Sequence, residues 1–192
     1  MKAIKSNLVV LFILILAAAL YRVWDGRPWG FAPQIAMALF AGSVSRDKRL
    51  AFLFPVLSML ISDALYQVLY TQGLSSIKGF YSGQWENYLL IASITIIGFF
   101  IIKNKVLHIL SGSLAGAIFY FIVSNFLTWI GGGLDINNQP YPKTLEGFIT
   151  CYTAALPFFK WSVLSTFIFN GVFFYGYYLL EKRIPKTELH TA

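Results

Sequence analysis

The sequence predicts an all-α membrane protein with six transmembrane helices, and two observations predict it. Hydrophobic residues make up 57% of the 192-residue chain and charged residues only 12%, a composition for which a soluble domain has too little interior. The second observation is the placement of basic residues, because Lys and Arg accumulate near the cytoplasmic ends of membrane spans. Six crossings bring four basic patches onto one face, which predicts a bacterial inner-membrane protein with both termini in the cytoplasm. The patches are Lys2/Lys5, Arg46/Lys48/Arg49, Lys103/Lys105 and Lys182/Arg183/Lys186.

The first predicted span covers residues 8–24. Two lysines followed by an apolar run that contains Ala17-Ala18-Ala19 are also typical of a cleavable signal peptide. The run continues beyond Ala19, however, and Trp24 supplies an anchor of the kind found at membrane interfaces. We therefore expect this span to be retained, with cleavage as the alternative.

The second predicted span, residues 31–45, is shorter than the roughly 20 residues that cross a bilayer core. Pro28 and Pro33 precede it or begin it, and proline suits the first turn of a helix or an irregular approach to one. Irregular backbone survives at membrane depth only where protein or a water-filled cavity surrounds it. We therefore expect the segment 27–33 to enter the outer half of the protein beside a cavity.

The remaining predicted spans complete one integral membrane domain over residues 1–192. In the last outer loop, Thr144 is suited to cap a helix and Glu146 to occupy its first turn. Apolar residues follow at helical spacing, which predicts a short amphipathic helix before the sixth span. The spans are 50–70, 85–102, 106–130 and 157–180; the outward loops are 25–30, 71–84 and 131–156, and the inward connections are 46–49 and 103–105.

Small residues and one amide predict close packing between these helices. Small residues four positions apart allow two helices to approach closely. Asn170 in the sixth span is expected to hydrogen-bond a neighbouring helix. The small pairs are Ala32/Ala36, Ala38/Gly42 and Gly112/Gly116.

Asp63 lies about 20 Å into the third span, at 1.5 Å per helical residue. Tyr66 and Gln67 share its helix face. A carboxylate at this depth is unfavourable unless it is paired or lines a cavity. Two interpretations remain open: an ion pair with Arg27 or Lys160 that fixes helix packing, or a pocket wall in which Asp63 and Gln67 contact a polar ligand.

Further candidate ligand contacts cluster towards the outer side. Asn125, which shares a helix face with Trp129, is either a ligand contact or a hydrogen bond between helices. Lys143 either meets a carboxylate or phosphate or is merely solvated. Small-molecule sites are commonly apolar with a few polar groups, and aromatic residues concentrate at the predicted outer mouth. The residues expected to form apolar walls are Trp29, Trp129, Tyr141 and Tyr152.

Other functions are disfavoured. The net charge of +7 marks span ends rather than a single nucleic-acid-binding face. His108 and His190 lack metal-ligand spacing with a partner, and Cys151 has no second cysteine for a disulfide. No H-E-x-x-H, G-x-S-x-G or P-loop motif occurs. We therefore expect no nucleic-acid binding, no metal or other cofactor, and no enzymatic activity.

Several motifs occur in a fixed order between residues 27 and 183. They are Ala36-Met-Ala-Leu-Phe-Ala-Gly42, Ala51-Phe-Leu-Phe-Pro55, Met59-Leu-Ile-Ser-Asp63, Ser124-Asn-Phe126, Trp129, Tyr141-Pro-Lys-Thr-Leu-Glu-Gly147, Cys151-Tyr152 and Ala155-Leu-Pro-Phe-Phe159. Together they resemble an uncharacterised family of six-helix bacterial integral membrane proteins. That family is similar to the S components of energy-coupling factor (ECF) transporters, the subunits that capture vitamins.

The resemblance implies a ligand taken from outside, with the first, third and fifth loops as lids. It also implies transport through a separate transmembrane scaffold and two ATPases. Near the start of the sixth span, similar proteins read Phe-Phe-x-Asn-Thr-Leu with an acidic residue soon after. This chain reads Phe158-Phe-Lys-Trp-Ser-Val-Leu-Ser-Thr166, so a polar contact to the family's usual ligand is missing.

The sequence thus leads to two hypotheses. The first is a substrate-binding membrane subunit of an ECF-type importer, which captures a small vitamin-like metabolite from the outer side of the bilayer. The alternative is a non-transporting assembly or scaffold subunit of a larger membrane complex. This alternative predicts no dry outer cavity, and helix faces rich in small residues that contact a stable partner.

Overall fold

The computed structural model describes the backbone of residues 2–183 and the side chains of residues 12–182. These residues form six α-helices, in agreement with the predicted all-α class, and each predicted span overlaps one helix. The side chains of Lys2, Lys5 and Arg183, and the whole of Lys186 and His190, lie outside the described part. The helices are α1 Lys2–Val23, α2 Gln34–Val44, α3 Lys48–Thr71, α4 Gln84–Gly98, α5 Val106–Ile130 and α6 Leu145–Arg183.

The helices alternate in direction, so the connections separate into two kinds. The last turn of α1 meets the second half of α3, where Arg22 donates to Ser62 Oγ. At the opposite end, Lys103 of the α4–α5 connection meets Glu181 near the end of α6 at 2.6 Å. We call these the long-loop end and the short-loop end. The long-loop end carries the connections 24–33, 72–83 and 131–144, and the short-loop end carries 45–47 and 99–105.

The shortest described helix, α2, is almost wholly buried. Nine of its 11 residues are buried, and it packs against α3, α4, α5 and α6. Phe40 meets Phe174 edge-on, with ring centroids 5.3 Å apart. Ser43 donates to the Ile101 carbonyl at 2.9 Å, which places the C-terminal end of α2 at the short-loop end. Because a helix of this length rises only about 16 Å, its N-terminal end lies inside the bundle.

The close packing predicted from small residues is confirmed where α2 crosses α4. A Cβ on Gly42 would lie 2.3 Å from the Thr95 carbonyl oxygen and 2.9 Å from Gly98 Cα. No side chain fits between backbones at this separation. Asn170 also links two helices as predicted, because its Nδ2 donates to Ser113 Oγ of α5 at 2.7 Å.

The predicted break before the sixth span is wrong. α6 is one helix of 39 residues with Pro157 in its interior. Proline removes one backbone hydrogen bond, but helices in apolar surroundings tolerate it when neighbouring helices support them. α5 supports α6 on both sides of Pro157, through Tyr152 and through Phe159. Thr144 caps the start of α6 as predicted, since its Oγ1 accepts from the Gly147 amide at 3.2 Å.

Three described helices are long and apolar enough to cross a membrane. They carry large exposed apolar side chains, among them Leu107 and Val172, which a lipid environment covers. Two further apolar stretches are shorter, namely α2 and the part of α1 whose side chains are described. This pattern is that of a membrane-associated helical bundle. The three long segments are Lys48–Thr71, Val106–Ile130 and Leu145–Lys182, and the two shorter ones are Phe12–Val23 and Gln34–Val44.

We predict that Gly42→Ala destabilises the fold by about 1–3 kcal/mol, the usual effect of overpacking. The added methyl group would meet the α4 backbone, which cannot rotate away as a side chain does. Gly171→Ala is the matched control, because a Cβ there meets nothing within 4 Å and alanine favours the helix. Thermal unfolding in detergent should show a lower midpoint for Gly42→Ala alone. Equal midpoints for the two variants would contradict the close crossing.

Candidate functional site

A buried polar network surrounds Asp63 at the long-loop end. Asp63 is only 2% exposed, and its Oδ1 pairs with Arg22 Nη1. Its Oδ2 accepts from Gln84 Nε2 and from the Tyr88 hydroxyl, both at 2.6 Å. Both carboxylate oxygens therefore have partners within the protein. The ion pair itself was predicted, but the expected partners, Arg27 and Lys160, are wrong because Arg22 occupies that position.

Arg27 belongs to the same network without contacting Asp63. Its Nε donates to the Arg22 carbonyl at 2.7 Å, and its Nη2 to the Tyr66 hydroxyl at 3.1 Å. Tyr66 in turn donates to the Arg22 carbonyl at 2.7 Å. Arg27 therefore holds the end of α1 against α3 through neutral acceptors.

The network also fastens the 72–83 connection to α3. Gln84 Nε2 donates to the Gly79 carbonyl at 2.8 Å, and Gln67 Oε1 accepts from the Phe80 amide at 3.3 Å. A Cβ on Gly79 would lie 1.9 Å from the Asp63 carbonyl oxygen. Only glycine lets this loop pass so close to α3. The hydrogen bond from the Phe80 amide to Gln67 Oε1 holds the loop in that position.

A ladder of aromatic rings joins the ends of α5 and α6. Tyr152 lies between Phe121 and Phe148, with ring centroids 5.7 and 4.4 Å away. Phe121 also packs on Phe159 at 4.5 Å, and Phe148 on Trp129 at 5.4 Å. This continuous stack holds the long-loop ends of the two helices together. We call these paired helix ends, with the 131–144 connection between them, the α5–α6 arm.

An open cleft lies at the tip of this arm, with a volume of about 360 Å³. Lys143 Nζ donates to the Trp129 carbonyl and lies 5.7 Å from the centroid of the Trp129 ring system. Trp129 Nε1 donates to the Pro142 carbonyl at 2.8 Å. The cleft therefore combines apolar walls with one positive charge. Its lining residues are Trp129, Lys143, Thr144, Leu145 and Phe148.

The other predicted contacts of this arm make internal hydrogen bonds or are buried. Asn125 Nδ2 donates to the Phe121 carbonyl at 2.7 Å, within its own helix, rather than to a neighbouring one. The Tyr152 hydroxyl donates to the Ile122 carbonyl at 2.7 Å. Tyr141 is buried beneath the loop, and burial raises the pKa of its hydroxyl.

The predicted site residues thus fall into two groups with one outlier. Asp63 and Gln67 belong to the network on α1, α3 and α4, whereas Asn125, Trp129, Tyr141, Lys143 and Tyr152 belong to the α5–α6 arm. Trp29, in the 24–33 connection, is 67% exposed. Among the described residues, no hydrogen bond or ring contact joins the two groups into one pocket wall.

Sequence reasoning missed Arg22, Gln84 and Tyr88. Arg22 had a detectable signal, because it is a cation at the non-cytoplasmic end of a predicted span and therefore needs a compensating partner. Gln84 and Tyr88 stand four residues apart, so they share a face of α4. Among residues described by the structure, no group of three or more His, Cys, Asp or Glu side chains is placed to hold a metal ion.

The fold and its buried network define a class: an apolar six-helix bundle with a buried polar network at its long-loop end. Residues 2–187 match a family described as a family of unknown function, DUF6580, and the chain belongs to that family. No curated protein and no solved structure matches the chain.

We predict that Asp63→Asn destabilises the protein by about 3 kcal/mol, the lower end of the range for a broken buried ion pair, because the half-buried Arg22 loses its counter-charge. Thermal unfolding in detergent measures the change, with the exposed Asp25→Asn as the matched control. Arg22→Gln combined with Asp63→Asn should lose less stability than the two single variants summed, since no unpaired charge remains. Additive losses would show that the pair is not coupled.

Proposed function

We propose that this protein is the substrate-binding subunit of an importer of the energy-coupling-factor type in a bacterial inner membrane. It crosses the bilayer six times, with both termini in the cytoplasm and the long-loop end outside. Its substrate is a small vitamin-like metabolite captured from the outer side. A separate transmembrane scaffold and ATPase subunits complete the transporter.

The observation that carries this proposal is that the two ends of the helical bundle differ in loop length, in candidate site residues and in basic charge. The three long connections and both groups of candidate site residues lie at the long-loop end. The short-loop end has only short connections, and five of the 15 basic residues lie in them or in the first turn of α3. Because Lys and Arg favour the cytoplasmic side, this charge directs the long-loop end outwards, where an importer meets its substrate. The basic residues are Arg46, Lys48, Arg49, Lys103 and Lys105.

In this proposal the cleft makes the first contact with such a substrate. Trp129 and Phe148 offer apolar surface, and Lys143 offers a cation beside it. Small-molecule sites generally combine apolar walls with a few placed polar groups. In this proposal the internally bonded Asp63 and Gln67 position the outer loops around the substrate. Trp29 remains exposed and available for a closing contact.

Energy for uptake has to come from partner proteins in this proposal. The sequence contains no P-loop motif, so nucleotide hydrolysis is assigned to separate subunits. At the short-loop end, Lys103 pairs with Glu181 at 2.6 Å and packs over the Tyr177 ring at 4.7 Å. This contact holds the α4–α5 connection against α6 on the side where cytoplasmic ATPases would act.

One observation favours the alternative, an assembly or scaffold subunit. A Cβ on Gly171 or on Gly176 would meet nothing within 4 Å, so both glycines face open space on α6. Small residues on an exposed apolar face allow another membrane helix to approach closely. A stable membrane partner would use this face without any ligand.

Purification from native membranes separates the two functions. We expect the tagged protein, extracted in mild detergent, to retain a transmembrane scaffold and ATPase subunits in fixed proportion. An unrelated tagged membrane protein from the same cells controls for adventitious capture. A stoichiometric complex without any ATPase would contradict import and support the assembly role.

A further inference from the structure

The N-terminal end of α2 is an unusual feature of the bundle. The helix begins at Gln34 after Pro33, and no side chain of the described residues caps it. The first amide to find a helical partner is that of Met37, which donates to the Pro33 carbonyl at 2.8 Å. The amides of the three preceding helical residues therefore point out of the helix end, as at every helix start. Here, however, that end is buried rather than solvated.

The Gln34 side chain makes this end more unusual. Gln34 is only 5% exposed, and neither its Nε2 nor its Oε1 has a hydrogen-bond partner among the described residues. Side chains lean towards the N-terminus of their helix, so the amide lies at the same end as the free backbone N–H groups. A buried amide without a partner is unfavourable, and in native structures such a group calls for an explanation, for example a functional role, an ordered water or a bound ion.

The electrostatics of this end favour an anion. The N-terminus of a helix carries a partial positive charge of about half an elementary unit. Arg27 adds a full charge nearby, since its Nη1 lies 3.5 Å from the Phe31 carbonyl just before the helix. Its hydrogen-bond acceptors are two backbone carbonyls and the Tyr66 hydroxyl, all neutral. No carboxylate of the described residues pairs with this half-buried guanidinium.

We propose that the buried N-terminal end of α2, with the Gln34 amide and the Arg27 guanidinium, binds the carboxylate of a small organic acid. This inference rests on the proposed function and deepens it by naming the substrate class. A monoanion matches one guanidinium and a helix end, whereas a doubly charged phosphate would bring excess negative charge into an apolar bundle. The Gln34 amide donates to one carboxylate oxygen through Nε2.

The depth of this site suits capture from the long-loop end. α2 rises about 16 Å from the short-loop end, about half the roughly 30 Å thickness of a bilayer core. The segment between Arg27 and Gln34 lies between the N-terminal end of α2 and the long-loop end. This segment is tied to α6 where Ser162 Oγ donates to the Gly30 carbonyl at 3.0 Å. A ligand would reach the α2 end from the long-loop end by displacing this segment.

Native mass spectrometry of the whole protein tests the site. Wild type is purified in detergent and incubated with the deproteinised small-molecule extract of the cells that produce it. We expect a low-mass organic acid adduct, with occupancy at least tenfold lower in Gln34→Leu and in Arg27→Gln. The matched controls are Gln72→Leu and Arg49→Gln, which make the same chemical changes at exposed positions and should bind like wild type. The methyl ester of the identified acid should bind at least tenfold more weakly than the acid.

Each other outcome has a definite meaning. An adduct that both site variants retain, or one that carries no carboxylate, overturns this site but leaves the binding function standing. The absence of any low-mass adduct on wild type contradicts the proposed function, and this site with it.

Stability provides a separate check that does not need the ligand. In the ligand-free protein, Gln34→Leu should raise the midpoint of thermal unfolding, because it removes a buried amide without partners and keeps a similar volume. A lower midpoint would show that the amide has a structural partner, such as an internal water, and would overturn the proposal.

Discussion

At the long-loop end, the packing of α1, α3 and α4 depends on the burial of one carboxylate in an apolar bundle. A charge in such surroundings is tolerated only when it is paired and its remaining lone pairs are bonded. Asp63 meets this requirement through Arg22, Gln84 and Tyr88, which come from two other helices. The same contacts therefore fix α1 and α4 on α3, and Gln84 extends them to the 72–83 loop.

The second constraint is the central position of α2. The close approach at Gly42 and Gly98 places α4 directly on its backbone, and the other neighbours bury its remaining faces. A helix this short cannot extend to the surface of the long-loop end, so its N-terminal end and Gln34 are left inside. The helix end is consequently a polar feature at a depth where polar groups are unfavourable. We interpret that combination as a binding feature.

Much of the fold was predictable from sequence because apolar runs and basic patches determine where helices lie in a bilayer. The continuation of α6 through Pro157 was not predictable, since it depends on packing against α5 by residues far apart in sequence. It was predictable that Asp63 forms an ion pair, but the identity of its partner was not. Arg22 lies in the last turn of α1 and Arg27 in the connection that follows, and only the position at which α1 ends decides which one reaches the carboxylate. Gln34 gave no sequence signal, because the sequence does not show that its side-chain amide finds no hydrogen-bond partner among the described residues.

The proposed function requires the long-loop end to face outwards, and labelling of single cysteines in intact cells measures this most directly. Cys151→Ser removes the native thiol. Ile136→Cys then places a thiol at a residue that is 92% exposed in the 131–144 connection, and Lys105→Cys places one in the exposed 99–105 connection. With a membrane-impermeant maleimide, the account predicts labelling of Ile136→Cys before lysis and of Lys105→Cys only after lysis. The reverse pattern would place the cleft and the α2 end towards the cytoplasm and contradict capture from outside.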